Sequence, residues 1–437
     1  MLQSFRFANH RSFADEQQLN LTPIYDSGDE RAESRPSVLV TGIFGANASG
    51  KSNAIHAFQF MRRMVTSSDR AVEPGLAISI PREPFKLSID IARTPSRYVV
   101  DLSLDGVRHT YGFTINDEGI VEEWLFHYPL KKKRRVFERD GENFVWGEES
   151  RKQSDLERIS NITAPTALFI STVARFNRRA SLDDQVHQPL HDVYRWFFRS
   201  RVRTRPDLPL RNFASIWSDL GSSRDVIVDL MRAADVGIVD VAVQTETQDS
   251  LFDVEEFLSD STTNTTQVRR RLLFTHKGPS GDGILSLENE STGTRRLLDL
   301  AYVAASVLRI GGIMMVDEID SSLHPILTAK LIGLFRSPAS NPRLAQLVFS
   351  SHDATLLGTL DAEEVLGRDE IWFTEKSDDG TSTLYPLADF KPRREGENRQ
   401  RRYLNGNYGG VPEISTYLFE KALASRMSEV VEGSDGA

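Results

Sequence analysis

After the first methionine, LQSFRFANHRSF alternates apolar and polar residues with a period of two. That spacing sends successive side chains to opposite faces of a strand and predicts an opening strand and hairpin. A polar, turn-rich loop follows at residues 26–37. VLVTGIF (38–44) is a short apolar, β-branched run leading into a glycine-rich loop, and SNAIHAFQFMRRMV beyond it has helical spacing. Between residues 85 and 146 come six alternating segments, FKLSIDIA, RYVVDLSLD, HTYGFTIN, EEWLFHYP, RRVFER and NFVWG. Turn residues separate them, which predicts an antiparallel meander. Residues 183–234 read as helical and irregular with a basic stripe, and 236–287 as β-like pieces around the low-complexity SDSTTNTTQ. A long apolar-rich helix after Ser291, the wholly apolar run IMMV (313–316) and the apolar strand AQLVFSSHD complete the centre of the chain. IWFTEKSDDGTSTLYPL (371–387) predicts a hairpin turning at DDG, and YLNGNYGG then places three glycines where the chain must bend tightly or approach a neighbour. Repeats and sustained heptads are absent from the sequence, and the alternation of strands with helices predicts an α/β fold.

Composition narrows the class. The 437 residues are 39% hydrophobic and 26% charged, a globular balance with no run of the length a membrane helix needs. MLQSFRFANH lacks the apolar core and cleavage site of a secretory signal, so the expected location is cytoplasmic, with no membrane partner. With no cysteine, the chain has no disulfide, thiolate nucleophile, iron–sulfur cluster or cysteine zinc site. A net charge of −9 argues against wholesale coating of nucleic acid. Three local basic patches remain: KKKRR at 131–135, RSRVRTR at 199–205, and an arginine-rich stretch at 393–402.

The chemistry starts at GANASGKS, a Gly-x-x-x-x-Gly-Lys-Ser loop between a predicted strand and a predicted helix. In that context the loop cradles nucleotide phosphates, with Lys51 placed to neutralise them and the helix dipole adding to it. Gly45, Asn47, Gly50, Lys51, Ser52 and Asn53 form the candidate nucleotide site. Its complement is GGIMMVDEID, an apolar strand ending in Asp317 and Glu318. Carboxylates at the C-terminal end of a buried parallel strand face the ligand crevice. There Asp317, with the Ser52 hydroxyl, is the candidate holder of Mg²⁺, and Glu318 the candidate general base. Ser291, Thr292 and Gly293 open a long helix whose free amides form an anion site. His352 ends a second apolar strand in the same crevice, a position suited to sensing the γ-phosphate.

These motifs, in the order GANASGKS, ESTGT, MMVDE, IDSSLHP and SSHD, resemble those of ATP-binding-cassette (ABC) ATPases, in the soluble branch that includes SMC, RecF and the OLD family. The opening SFRFANHRSF and the closing YLNGNYGGVP are similar to AAA-type ATPases of bacterial abortive-infection and phage-defence loci, such as the AbiL ATPase encoded beside an RloB-type nuclease. The resemblance implies ATP and Mg²⁺ as cofactors. It also implies a homodimer, or a higher oligomer built from it, with ATP held between one subunit's phosphate loop and the other's signature. Ser291 and Gly293 then contact the γ-phosphate in trans, Asp320 matches the D-loop aspartate, and His352 matches the switch histidine. The signature has Thr292 where a second glycine is usual, and the segment LFISTVARFN offers Asn177 where a Q-loop glutamine is expected. The implied fold is an ABC head with a central mixed sheet carrying the Walker motifs, an antiparallel sheet on one side and a helical signature-bearing insertion. The expected lobes are 1–180, 181–285 and 286–437.

Intrinsic nuclease chemistry has no visible carrier. A TOPRIM centre needs an Asp-x-Asp pair, which the chain lacks, and all nine histidines lie at or before His352, leaving none for a C-terminal catalytic centre. The preferred expectation is an ATP-hydrolysing regulator or sensor that controls a separately encoded effector, a nuclease or toxin. The alternatives are a RecF-like ATPase that binds DNA through the basic clusters, and a scaffold that holds ATP without hydrolysing it.

Overall fold

The computed structural model describes residues 1–25, 36–70, 72–73, 76–77, 81–177, 187–204, 213–218, 220–221, 223–234, 237–248, 267–360, 363–393, 396–412 and 421. An antiparallel pair opens the chain, β1 (Leu2–Ala8) and β2 (Gln17–Asn20). Strand β3 (Val40–Gly45) runs into helix α1 (Lys51–Ser67). After the short helix α2 (Ile89–Arg93) come β4 (Ser96–Leu104), β5 (Val107–Ile115), β6 (Ile120–Tyr128), β7 (Arg134–Asp140) and β8 (Asn143–Trp146). Helices α3 (Ser154–Asn161), α4 (Phe169–Asn177) and α5 (Gln188–Arg199) lead to β9 (Arg201–Arg203). Next are α6 (Phe213–Ser218), α7 (Ser223–Ala234), β10 (Ile238–Gln248), β11 (Gln267–His276) and β12 (Gly283–Ser286). Helix α8 (Thr292–Ile310), β13 (Ile313–Val316), α9 (Pro325–Arg336), β14 (Gln346–Ser350), β15 (Ile371–Lys376), β16 (Ser382–Pro386) and α10 (Arg399–Leu404) finish the described chain.

The central sheet has the order β9-β13-β14-β3-β15-β16, parallel throughout except for the final hairpin strand β16. Its strands are apolar on both faces because both are covered. Along β13, Ile313 and Met315 join the core shared with α1 and the antiparallel sheet, whereas Met314 and Val316 join the core shared with α8 and α9. The antiparallel sheet, in the order β8-β7-β6-β5-β4-β1-β2, packs its apolar face over α1, α4 and α5. A third core joins α6, α7, β10 and β11 to the flank of α8. The architecture is therefore the expected α/β class, with a mixed central sheet and an antiparallel sheet beside it. Among the described residues no helix is long and apolar enough to cross a membrane.

Two local readings need correction. FKLSIDIA is not the first strand of the meander: Ser88 accepts a hydrogen bond from the Ile91 amide and caps α2 instead. Leu87 and Ile89 are 70% and 72% exposed, so the alternation there finds no partner sheet, and the meander begins at β4. The second difference is RVR (201–203), which lies inside a basic stripe yet is an edge strand of the central sheet, parallel to β13. The polar loop expected from Asp26 falls largely outside the described residues, as does the low-complexity stretch from Ser259.

Gln346 ties the two large sheets together. Its side chain accepts from the Leu2 amide (2.6 Å) and donates to the carbonyls of Leu2 (2.9 Å) and Val38 (3.1 Å), while only 1% exposed. Replacing Gln346 by Leu leaves these buried backbone groups without partners and should cost about 2–4 kcal/mol, from about 1–3 kcal/mol for each orphaned group with partial relaxation. Urea unfolding followed by tryptophan fluorescence checks this, and an unchanged midpoint would refute it.

Candidate functional site

The phosphate loop is shaped by what its glycines permit. A Cβ on Gly45 would lie 2.5 Å from the Thr374 carbonyl oxygen and 2.6 Å from Ser49 Oγ. Gly50 has φ 121, a region side chains disfavour, and stands directly before α1. No side chain caps this helix, so its first-turn amides point outward as an anion-binding end. Ser49 shares a 2.6 Å hydrogen bond with Thr374 of β15, which fixes the base of the loop to the neighbouring strand. Asn47 is exposed on the loop. The glycine-rich segment near the C-terminus also reaches this place. Gly406, Gly409 and Gly410 all have positive φ, and a Cβ on Gly410 would sit 3.5 Å from Gly45 Cα.

Lys51 is buried, and its ammonium donates to the carbonyls of Gly45 (2.7 Å) and Ala46 (2.9 Å). Burial pushes it down to about 8, against the opposing pull of Asp317, Glu318 and Asp320. Ser52 donates to Asp317 Oδ1 at 3.0 Å, so the hydroxyl and carboxylate expected to share a metal already face each other. Asn53 points elsewhere: it donates to Ser12 Oγ (2.8 Å) and accepts from Arg11 (3.4 Å), joining the loop helix to the β1–β2 turn.

Asp317 and Glu318 leave the end of β13. Glu318 adopts φ 51, a left-handed conformation unusual for a residue with a side chain, and its carboxylate is half-exposed. His352 Nε2 lies 3.8 Å from Glu318 Oε1, so β13 and β14 deliver these two groups to one spot. Asp320 follows, with Oδ1 buried and without a hydrogen-bond partner among the described residues. Ser291 and Gly293 lie at the start of α8. The Ser291 hydroxyl caps α8 by accepting from the Thr294 amide (3.0 Å), and a Cβ on Gly293 would lie 2.9 Å from the Ser322 carbonyl oxygen. Among the described residues, no hydrogen bond joins either one to Lys51 or Ser52. Asn177 is the last residue of α4.

Sequence reasoning missed the groups that hold this edge in place. Ser350 donates to Asp317 Oδ1 (2.5 Å) and accepts from the Glu318 amide (2.8 Å), fixing both carboxylate residues from the adjacent strand. Arg296, 2% exposed on α8, donates to the carbonyls of Asp317 (3.1 Å) and Glu318 (3.0 Å). Behind it Asp299 accepts from Arg203 Nε at 3.1 Å, and Arg296 Nη1 is 3.7 Å from the other carboxylate oxygen. Burial holds both arginine-side partners off their usual values, with Arg296 lowered and Asp299 raised. The visible signal was an arginine at an inward position of an apolar helix, three residues before an inward aspartate.

Arg296→Met should leave the two carbonyls without their donor, with Asp299 still paired to Arg203, and cost about 2–4 kcal/mol, from about 1–3 kcal/mol for each orphaned group with partial relaxation. Arg296→Lys restores charge without the planar fork and should recover only part of that loss. Chemical unfolding of both variants checks the order.

Residues 40–358 match the protein family described as "AAA domain, putative AbiEii toxin, Type IV TA system". No curated protein sequence matches the chain. Similar solved structures include the SMC head domain from Thermotoga maritima, at 14% identity over 88% of this chain and 98% of that one, with a TM-score of 0.40. An Smc head domain with an extended coiled coil bound to the C-terminal domain of ScpA, from Pyrococcus furiosus, is 12% identical over 89% and 97%, with a TM-score of 0.39. The Smc head domain with a coiled coil and joint from Pyrococcus yayanosii is 11% identical over 90% and 100%, with a TM-score of 0.41.

Proposed function

The chain belongs to this AbiEii-type AAA domain family, and from that premise we propose that it binds and hydrolyses ATP with Mg²⁺ as a dimer that controls a separately encoded effector. One observation carries the reading: Lys51, Ser52, Asp317, Glu318 and His352, drawn from three different strand ends, converge on the C-terminal edge of the parallel sheet. The donor set fits the cofactor. A hydroxyl and a carboxylate 3.0 Å apart are hard oxygen ligands of the kind Mg²⁺ takes, and the uncapped start of α1 suits phosphate. Ser52 and Asp317 would hold the metal, which would supply charge neutralisation at the phosphates.

The protein's part is then to bind, orient and move a proton. Lys51 exchanges the loop carbonyls for phosphate oxygens, which favours its charged form. Glu318, held left-handed between Ser350 and Arg296, orients the attacking water and accepts its proton. His352 stands beside Glu318 as the γ-phosphate sensor. Ser291 and Gly293, at the start of α8, act on the nucleotide of a second copy, with Asp320 at the same seam. The family description names a type IV toxin–antitoxin system, a two-protein context in which such an ATPase works with a second component. For the RecF-like alternative, two arginines of the 199–205 patch are taken up within the fold. Arg203 is engaged with Asp299, and Arg201 donates to the Phe198 and Ser200 carbonyls.

Wild-type protein should release phosphate from ATP in a Mg²⁺-dependent assay, and EDTA should abolish the activity. Lys51→Ala should lose nucleotide binding. Glu318→Gln should keep binding while turnover drops by about 10²-fold or more, the range for removing a general base, and should accumulate an ATP-dependent dimer by light scattering. Wild-type protein that binds ATP but shows no turnover would instead make this a scaffold. Composite sites give a second test. Lys51→Ala and Ser291→Arg should each be inactive alone and regain activity on mixing, because the mixed dimer keeps one intact site. Failure to complement would place the complete site within one chain.

A further inference from the structure

The antiparallel sheet carries a second polar cavity of about 570 Å³, lined by His127, Lys133, Arg134, Arg135, Trp146 and Arg151 among others. It lies between the end of β6, the connection into β7 and the turn after β8, and shares no residue with the phosphate loop. Its walls are positive in a chain of net charge −9: four cations line it against the two carboxylates Glu148 and Glu149. Internal pairing takes up part of that charge. Arg134 pairs with Glu149, and Arg135 with Glu138 at 3.1 Å. Lys133 sits 3.8 Å above the Phe126 ring, and among the described residues neither Lys133 nor Arg151 has an ion-pair partner.

The backbone is shaped to hold these cations together. A Cβ on Gly147 would stand 1.8 Å from the Arg135 carbonyl oxygen, so only glycine lets the turn bearing Glu148 to Arg151 cross so close to β7. In the connection into β7, Leu130 and Lys131 are two successive left-handed residues, φ 54 and 62, and Leu130 is 90% exposed. Lys131 and Lys132, which precede the lining residue Lys133, are exposed. Trp146 gives the cavity an aromatic wall, and its ring also meets Phe144, stacked at 5.3 Å, Phe169 and Phe137.

We propose that this cavity is a binding site for the phosphate ester of a nucleoside, taken either from a free mononucleotide or from the end of a single nucleic-acid strand. Guanidinium forks and ammonium groups receive the phosphate, and Trp146 receives the base. The volume lies in the range of small-molecule sites, about 300–1,000 Å³. The unpaired cations Lys133 and Arg151 supply the charge that the two internal ion pairs do not cancel. The inference is independent of ATP hydrolysis, since it concerns a different sheet and different residues.

The test uses the full chain with excess Mg-ADP filling the phosphate loop. A labelled single-stranded oligonucleotide bearing a 5′-phosphate is titrated by fluorescence anisotropy, and AMP by calorimetry. Lys133→Glu combined with Arg151→Glu should weaken the bound probe by about tenfold or more at low salt, and for the oligonucleotide should lower the salt slope by about two. Both residues are exposed, so the fold should be retained and the melting temperature unchanged. The milder Lys133→Gln with Arg151→Gln should give an intermediate loss. A charge-matched reversal elsewhere, Lys391→Glu with Arg401→Glu, should leave binding intact. Binding of AMP identifies the free nucleotide as the source, and binding of the oligonucleotide without AMP identifies the strand end. The proposal is overturned if neither probe binds, if both reversals weaken binding equally, if the cavity reversal has no effect, or if poly-glutamate displaces the oligonucleotide as well as unlabelled oligonucleotide does.

Discussion

Burial of the parallel sheet on both faces is the constraint that organises this protein. Strands β13, β14, β3 and β15 face α1 and the antiparallel sheet on one side and α8 and α9 on the other, so neither face has room for an unpaired charge. Polar chemistry is confined to where the strands end. Parallel pairing places those ends at one edge, which is why Gly45, Asp317 and His352, far apart in sequence, share a single crevice. The same constraint explains Gln346, whose amide satisfies backbone groups where the two large sheets meet away from water.

The crevice is held from behind by groups that touch its backbone. Arg296 reaches from α8 to the carbonyls of Asp317 and Glu318, and Ser350 reaches from β14 to the amide of one and the carboxylate of the other. Glu318 is thereby kept in a left-handed conformation that an isolated chain would leave. Because Ser291 opens the helix that carries Arg296, a ligand engaging the start of α8 acts on a rigid element already bonded to the carboxylate strand. This is a physical link between the start of α8 and the carboxylate edge, made of two hydrogen bonds and the first turns of the helix.

Charge in this molecule sorts by surroundings. In the 199–205 patch, Arg201 donates to neighbouring backbone carbonyls and Arg203 pairs with Asp299. In the 393–402 patch, Arg399 and Arg402 are paired with Glu364 and Glu397. At 131–135 the ion pairs are incomplete, and there the charge borders a cavity. A basic run in sequence therefore carries three different meanings, decided by which carboxylates and carbonyls the fold brings alongside.

The sequence by itself determined the α/β class, the meander from β4 to β8, the C-terminal hairpin and the motif residues Gly45 to Ser52, Asp317, Glu318 and His352 as candidates. Those features are local: period-two alternation, a strand–loop–helix order and carboxylates ending an apolar run all lie within a few residues of one another. Tertiary structure decided what depends on distant partners. FKLSIDIA alternates like a strand, but no sheet edge lies beside it and Ser88 turns it into a helix. RVR reads as a surface stripe until β13 pairs with it. Arg296, Ser350 and Gln346 carry no motif, because each takes its role from a partner 21, 33 or 344 positions away. Hydrogen-bond satisfaction of buried groups is a property of the packed chain, and no sequence window contains it.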